Sequence, residues 1–330
     1  MAKKVKKREE DDFSPSVEEV AQEYFASIKR LKEKTQQEYR YKLGLFCKWC
    51  TNNSIYLRDI SSRVVDDFLL HMKATHTSCK SGQKEISSNT IASEVRVIKA
   101  FLNWCLQDEE YSKYVKPIVI SRIKMPKITQ EIIQTFTPAQ ISALLRACDK
   151  EKSEHLQLRD RAIIAVLLDT GIRAAELCTL TLSNVILDAK DSYLRVFGKG
   201  DKWGEVGLGE QSRKALRKYI RMFREPTIEY AKEDINQSVV FVNRSGNPLT
   251  VNGLDQIIER LGEWAKIENV RCSPHTFRHT FAKMFMQNGG DVYKLSKLLR
   301  HSSVKTTEDY LKSLQQSEAR KGTKSVLDNL

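Results

Sequence analysis

Six side chains between residues 173 and 310 are of the types that attack on a phosphodiester requires. They are two arginines, a lysine, two histidines and a tyrosine: Arg173, Arg278, Lys199, His275, His301 and Tyr310. The first five can supply positive charge or protons, and the phenol can form a covalent bond to phosphorus. The set predicts cleavage of a phosphate ester without a metal ion or other cofactor.

The two arginines are the candidate phosphate ligands. Attack on a phosphodiester builds charge on the non-bridging oxygens, and a planar guanidinium can grip two of them at once. His275 and Arg278 lie three positions apart in a predicted helix, so they share a face and can meet one phosphate. A tyrosine phenol is protonated at neutral pH, so Tyr310 needs a general base, and His275 is the candidate.

Two predicted helix boundaries position the arginines. The apolar helix over residues 159–169 stops at Gly171, which can take the left-handed conformation of a C-terminal cap, and Arg173 follows just beyond it. Ser273–Pro274 has the signature of a helix start, and Gly289–Gly290 that of a helix end. The helix between them carries the second arginine.

The lysine and the tyrosine are predicted on a turn and a helix. Two short strands, over residues 192–197 and 202–208, flank a glycine-containing hairpin turn from which Lys199 projects. Residues 306–309 form a capping pattern immediately before Tyr310. Together with the helices, this hairpin predicts a mainly α protein with a small antiparallel β-sheet.

Length and charge limit the class of protein. The 330 residues suffice for about two domains, and an apolar content of 41% can build real cores. The formal charge of +13 suits a polyanionic partner such as nucleic acid. A basic chain can also owe its charge to solubility or to contact with a membrane or a ribosome. Neither an apolar run of the ~20 residues needed to cross a membrane nor a secretory signal is evident, so we expect a cytoplasmic, nucleoid-associated protein without a membrane partner.

Cysteine usage favours reduced thiols. The count is seven, an odd number spread through predicted helices. Cys47 and Cys50 have the spacing of a redox or zinc pair, but they align with Leu43 and Phe46 on one helical face. We interpret the pair as part of a core.

Composition changes along the chain predict four segments. They are a disordered tail at 1–13, a helical domain at 14–110, a basic linker at 111–135 with little helical periodicity, and a second domain at 136–330. Helices are predicted in the first domain over residues 16–29, 35–51, 61–73 and 88–107. The second domain begins with a capping box: Thr137 caps, Pro138 takes the first helical position, and Gln140 completes the box.

Four segments carry a family resemblance. They read TGIRAAEL from Thr170, FGKGDK from Phe197, HTFRH from His275 and LLRHSSVKTTEDY from Leu298. In that order they resemble the catalytic signature of the tyrosine recombinases, the phage integrase family. The resemblance covers residues 136–314 closely, and the first domain only in its helical layout, which in the family is a SAM-like core-binding domain.

The resemblance implies a mechanism. Tyr310 would form a 3′-phosphotyrosyl intermediate, Lys199 would protonate the departing 5′ oxygen, and His301 would donate a hydrogen bond to the phosphate and support Tyr310. A 5′ hydroxyl from another strand would then resolve the intermediate, so the expected function is site-specific DNA recombination. Exchange between two duplexes breaks four strands, which implies a homotetramer on synapsed double-stranded DNA. The chain's tail after Tyr310 would then dock on a neighbouring subunit or pack on its own.

Two departures from the family pattern stand out. Arg300 occupies a position where the family usually has glycine, which adds a bulky charge beside the site that could contact DNA or alter cleavage. The hairpin is followed by the tripeptide GLG instead of an apolar residue and proline, and Lys202 remains an alternative general acid.

Two other functions remain open. A type IB topoisomerase shares the tyrosine and its basic partners, and a DNA-binding regulator can keep the fold without the chemistry. His275 and His279 lie four apart, as metal ligands often do, but HTFRH lacks the glutamate of the HExxH motif. We therefore interpret His279 as a residue that packs in the core or supports a catalytic side chain, and Glu176 as an ion-pair partner for an arginine.

Contacts to DNA are predicted on polar helix faces, the linker and the site's edges. The candidates are Lys34, Thr35, Arg40, Lys48, Thr90, Ser93, Arg96, Lys99, Arg122, Lys124, Lys127, Lys202 and Arg300. Ordinary solvent exposure of a helix face explains the helical candidates as well as DNA binding does. The basic linker residues are better candidates for phosphate contacts, because a linker contributes little to a domain core. The sequence does not indicate the target site, the accessory proteins or the biological setting.

Overall fold

Helices build most of the part of the chain described in this computed structural model. That part comprises residues 14–75, 86–127, 134–198, 202–224, 238–301, 303–305, 307–308 and 311. The chain divides into two units, Met1–Gln130 and Glu131–Leu330. Within the described residues, no helix is both long and apolar enough to cross a membrane.

The first unit is helical, as predicted. Its helices are α1 (Val17–Ser27), α2 (Glu33–Asn52), α3 (Ser62–Thr75), α4 (Ser88–Gln107) and α5 (Pro117–Arg122), with a 3-10 turn at Leu57–Asp59. Helix α1 starts with a capping box, in which the Ser16 side chain accepts from the Glu19 backbone and the Glu19 side chain accepts from that of Ser16.

The apolar stripes of these helices meet in one core. Helix α4 contributes the periodic set that its sequence displays: Ile91, Val95, Ile98, Phe101, Leu102 and Cys105. Cys47 and Cys50 are buried in the same core, as predicted, and burial raises the pKa of both thiols to about 12.

The segment after α4 differs from expectation. We expected little helical structure there, whereas Pro117 opens the short helix α5. Tyr111, Val115, Ile120 and Ile123 pack into the core of the first unit. Six helical residues are too few for a periodic pattern to show, because they make less than two turns. The prediction from sequence therefore missed α5.

The second unit combines helices with a small sheet. Its helices are α6 (Pro138–Ala147), α7 (Glu154–Thr170), α8 (Ala174–Cys178), α9 (Glu210–Tyr219), α10 (Val251–Trp264), α11 (Pro274–Gln287) and α12 (Val292–Leu299), with short turns at Cys148–Lys150, Leu182–Asn184 and Ile220–Arg224. Its strands are β1 (Val185–Leu187), β2 (Ser192–Gly198) and β3 (Lys202–Gly207). The predicted capping box of α6 is confirmed, with Thr137 bonded to Gln140 in both directions.

The sheet contains the predicted hairpin and one strand that was missed. Its order is β1-β2-β3 with antiparallel pairing throughout, and Phe197 faces Trp203 while Gly198 faces Lys202. Strand β1 has only three residues, too short for an alternating pattern. The fold class, mainly α with a small antiparallel sheet, is confirmed.

Helix α7 is the centre of this unit. It is buried on most sides, from Leu156 through Leu167, and both α9 and α11 pack against it. A smaller apolar cluster holds α11 and α12 together through Ala282, Leu295 and Leu299, and Leu311 joins it. These contacts bring the end of α7, the start of α8, helix α11 and the end of α12 close together.

Candidate active site

A left-handed glycine directs the chain from α7 into the site. Gly171 caps α7 with φ 57° and ψ 23°, as predicted, and Ile172 is buried behind it. Arg173 is then the N-cap of α8 in an extended conformation, and its backbone N–H donates to Glu176 Oε2 at 2.8 Å. The start of α8 thereby fixes the direction in which the Arg173 side chain leaves the backbone.

Arg278 binds the ends of two helices. The side chain projects from α11 and is buried, with Nη1 donating to the carbonyl of Gly171 and Nη2 to that of Leu299, both at 2.6 Å. These carbonyls belong to the C-terminal ends of α7 and α12, where the partial negative charge of a helix end favours a cation. The two bonds fix the plane of the guanidinium.

Glu176 joins two arginines. Arg173 Nη1 lies 3.0 Å from Glu176 Oε1, and Arg300 Nη2 forms a second ion pair with Glu176 Oε2. Arg173 Nη2 also donates to the carbonyl of Arg300 at 3.4 Å. The prediction that Glu176 pairs with an arginine is confirmed. The pairing with Arg300, 124 residues away, had no signal in the sequence.

His301 follows immediately after this cluster. Its backbone N–H donates to the Ser296 carbonyl at 3.1 Å, and its Nδ1 lies 2.7 Å from the hydroxyl of Thr307. Burial, followed by the positive charges of Arg278, Arg173 and Arg300, lowers the pKa of His301 to about 4. The imidazole is therefore neutral at pH 7, so one ring nitrogen carries a proton and can donate.

His275 and His279 lie one turn apart on α11. His275 is exposed, yet nearby protein atoms still remove part of its hydration; this desolvation, then the charge of Arg278, lowers its pKa. Desolvation and then His275 lower the pKa of His279 to about 4. A neutral His275 has a lone pair with which to accept a proton. No cluster of metal-ligating side chains occurs among the described residues.

Four of the six residues predicted to be catalytic thus come together. Arg278 bonds to the carbonyl of Leu299 and Arg173 to that of Arg300, the two residues before His301, and His275 lies one turn before Arg278 on α11. Arg173 and Arg300 share the single carboxylate of Glu176, and Arg278 adds a third guanidinium bonded to two helix-end carbonyls. Such a cluster is suited to a phosphate dianion-like transition state.

Lys199 and Tyr310 lie outside the described residues. The backbone is described up to Gly198, the last residue of β2, and resumes with Lys202, the first residue of β3, whose side chain is likewise outside the described part. Beyond Tyr310, Leu311 is buried with α11 and α12.

The predicted DNA contacts are mostly exposed. Those at the surface are Lys34, Arg40, Lys48, Thr90, Arg96, Arg122, Lys124 and Lys127, and those half-buried are Thr35, Ser93, Lys99 and Arg300. Lys99 Nζ donates to the carbonyl of Ile123 at 3.1 Å, and Ser93 lies 3.3 Å from Glu38. These two side chains therefore also serve contacts within the first unit.

The hairpin carries an exposed aromatic pair that the sequence analysis missed. Phe197 and Trp203 are 46% and 63% exposed, with ring centroids 5.3 Å apart. Their positions at opposite ends of the predicted turn were the available signal, because cross-strand neighbours share a face.

Matches to family models decide the identity of the chain. A model of the phage integrase family matches residues 134–317, more than half of the chain, and a model of the phage integrase SAM-like domain matches residues 16–116. The chain belongs to the phage integrase family. The resemblance inferred from four short segments is confirmed, and the match to the first domain extends it beyond helical layout.

Known relatives agree with this assignment. The tyrosine recombinase XerD of Staphylococcus aureus (strain N315) is 30% identical over 298 residues, covering 89% of this chain and 94% of that protein. The tyrosine recombinase XerC of Anoxybacillus flavithermus is 28% identical over 288 residues, covering 87% and 90%. The predicted enzyme class, a tyrosine recombinase, is confirmed, and these matches support it over a topoisomerase.

Solved structures share the fold. XerH site-specific recombinase, bound to a palindromic difH substrate in a post-cleavage complex, superposes with a TM-score of 0.69 at 19% identity, covering 91% of this chain and 82% of that one. The Tn1549 transposon integrase, in complex with a circular intermediate DNA, gives a TM-score of 0.68 at 17% identity, covering 93% and 100%.

Proposed function

We propose that this protein recombines double-stranded DNA at a specific site by cleaving and rejoining strands through a 3′-phosphotyrosyl intermediate. The convergence of Arg173 and Arg278 with two neutral histidines carries the proposal. In the family's relatives named above, the XerH and Tn1549 proteins were bound to DNA. The net charge of +13 fits such a partner.

Arg173 and Arg278 would hold the non-bridging oxygens of the scissile phosphate. Both guanidiniums are fixed by the protein before DNA arrives, Arg173 by Glu176 and Arg278 by two carbonyls. Donors that are already oriented stabilise the charge that develops during attack without reorganising at that moment. His301, neutral and beside both arginines, would donate a further hydrogen bond to the same phosphate.

Two proton transfers accompany the cleavage step. The Tyr310 oxygen attacks phosphorus while His275 takes the phenol proton, and the bond from phosphorus to the 5′ oxygen breaks as Lys199 protonates that oxygen. A 5′ hydroxyl from another strand then attacks the phosphotyrosine, and the proton transfers run in reverse. The phosphodiester count is unchanged, so the reaction needs no nucleotide cofactor.

A homotetramer on two synapsed duplexes follows from the single nucleophile per chain, since full exchange breaks four strands. The residues after Leu311 lie outside the described part, and we propose that they link neighbouring subunits. Crosslinking on synapsed DNA, with the chain shortened after residue 314 as the comparison, tests this; tetramers that form equally well without the tail would assign the contact elsewhere.

The assignment of the nucleophile is tested with a nicked suicide substrate. Cleavage releases a short fragment that diffuses away, and the covalent complex is trapped because the 5′ hydroxyl needed for rejoining is lost. We expect wild-type protein to form a complex stable to denaturant, and Tyr310→Phe to form none because it lacks the phenol oxygen. Tyr293→Phe is the matched control, since Tyr293 is an exposed tyrosine of α12. Covalent capture by Tyr310→Phe would show that another residue is the nucleophile.

A further inference from the structure

Arg300 closes helix α12 in a conformation that usually belongs to glycine. Its φ is 52° and its ψ is 48°, the left-handed region, in which a side chain on the Cα is crowded by the backbone. Glycine has no such penalty and is the commonest residue at this place in a helix end. An arginine here bears a backbone strain that contacts of its side chain can offset.

One of these contacts is the ion pair with Glu176. The Glu176 side chain is 3% exposed and that of Arg300 15%, so the pair is largely shielded from water. Glu176 also holds Arg173, and Arg173 in turn donates to the carbonyl of Arg300. The head of Arg300 is therefore engaged by a carboxylate and is not directed at solvent.

Arg300 Nη1 also donates to the carbonyl of Leu298 at 3.2 Å, and the stem of the side chain contacts the hairpin. A Cβ built on Gly204 of β3 would lie 2.5 Å from Arg300 Cδ and 3.4 Å from Cγ, so the arginine stem lies against the bare backbone of the strand. Gly204 pairs with Val196, and two residue pairs further along the hairpin Gly198 faces Lys202. Lys199 is the next residue in the chain after Gly198.

We propose that Arg300 is a positioning residue that sets the distance between the β2–β3 hairpin and Arg173, so that an acid on the hairpin reaches the leaving oxygen of a phosphate held by Arg173. The inference rests on the proposed function, in which Lys199 is that acid. It is argued from two of the contacts of this side chain: the stem on Gly204 and the head on Glu176.

A substrate that needs no acid separates this role from others. Replacing the bridging 5′ oxygen of the scissile phosphate by sulfur gives a leaving thiolate, which departs without protonation because it is a far weaker base than an alkoxide. A defect confined to acid positioning disappears on this substrate. A defect in phosphate binding, DNA binding or folding remains on both.

The main experiment compares Arg300→Gly with wild type in single-turnover cleavage of both substrates. Glycine suits the left-handed backbone, so the variant should fold, as checked by its circular dichroism and thermal unfolding. We expect cleavage of the ordinary substrate to fall by roughly tenfold to a hundredfold, the range that a displaced reacting group causes. On the sulfur substrate the rate should stay within about threefold of wild type. An equal loss on both substrates, or no loss on either, overturns the proposal.

Lys199→Ala keeps failure of this inference apart from failure of the proposed function. The sulfur substrate should restore its cleavage as well, because the missing acid is then not needed. If Lys199→Ala is not restored, the assignment of the acid is wrong. If Lys199→Ala is restored and Arg300→Gly is not, only the role given to Arg300 is wrong.

A second variant tests the hairpin contact itself. Gly204→Ala places a methyl group against the Arg300 stem, so it should slow cleavage of the ordinary substrate in the wild-type background. In the Arg300→Gly background the stem is gone, and the same change should have no further effect. A similar loss in both backgrounds would show that Gly204 matters only for the strand itself. It would contradict the proposed coupling between Arg300 and the hairpin.

Discussion

Three predicted DNA contacts of the first unit and the arginines of the site in the second unit are held in opposite ways. In the first unit Lys34, Arg40 and Arg96 stand on exposed helix faces. In the second unit Arg278 is buried between two helix ends, and Arg173 shares a buried carboxylate with Arg300. Exposed cations act on DNA by charge and release of counterions, whereas fixed ones act by geometry. Substitutions in the two units should therefore fail in different ways.

The largest effect is expected at Arg173. Arg173→Ala removes an oriented donor from the phosphate, so the cleavage barrier should rise by about 3 kcal/mol or more, roughly a hundredfold in rate. DNA affinity should change little, because one charge among many is lost. Single-turnover cleavage at saturating protein measures the first quantity and filter binding the second.

Arg161→Ala provides the control for that substitution. Arg161 lies in the same unit, on α7, in a surface ion pair with Asp149. The Arg161→Ala variant should therefore cleave DNA at the wild-type rate. Near-normal cleavage by Arg173→Ala would place Arg173 outside the site. It would also contradict the distinction between exposed cations in the first unit and fixed arginines in the second.

A smaller effect is expected at the turn that positions Arg173. Gly171→Ala would strain a left-handed backbone and bring a Cβ to 2.5 Å from Phe281 Cδ1. Gly246 also has a positive φ, of 83°, but a Cβ there would have no atom within 4 Å. We expect Gly171→Ala to lower the free energy of unfolding by about 2 to 4 kcal/mol and Gly246→Ala by about 1 kcal/mol. Urea unfolding measures both; equal losses would show that packing against Phe281 does not constrain the turn.

The smallest effect is expected at the exposed cations. Lys124→Ala should weaken DNA binding several-fold and reduce the slope of log affinity against log salt by about 1, because one phosphate contact is lost. Its cleavage rate at saturating protein should not change. Lys113→Ala is the matched control in the same unit, because Lys113 is exposed and lies over the Tyr114 ring. Its DNA affinity and salt dependence are compared with those of Lys124→Ala. A cleavage defect in Lys124→Ala would mean that the first unit also works by geometry.

Much of the site was predictable because its residues depend on local features. The Gly171 cap placed Arg173, the Ser273–Pro274 start placed His275 and Arg278 on one face, and the hairpin around Lys199 followed from its glycines. Each of these features is decided within a few residues. Short elements escaped the same approach: β1 and α5 are shorter than the period that would identify them.

The sequence by itself determined the helical periodicity, the caps, the hairpin and an ordered set of residue types that fits phosphoryl transfer. Only the tertiary structure decided that Arg278 would bind the ends of α7 and α12, and that Arg300 would join Glu176 to the hairpin at Gly204. The physical reason is range. A cap or a turn is stabilised by neighbours in the chain, whereas a buried ion pair between residues 176 and 300 exists only after the core has brought both helices together.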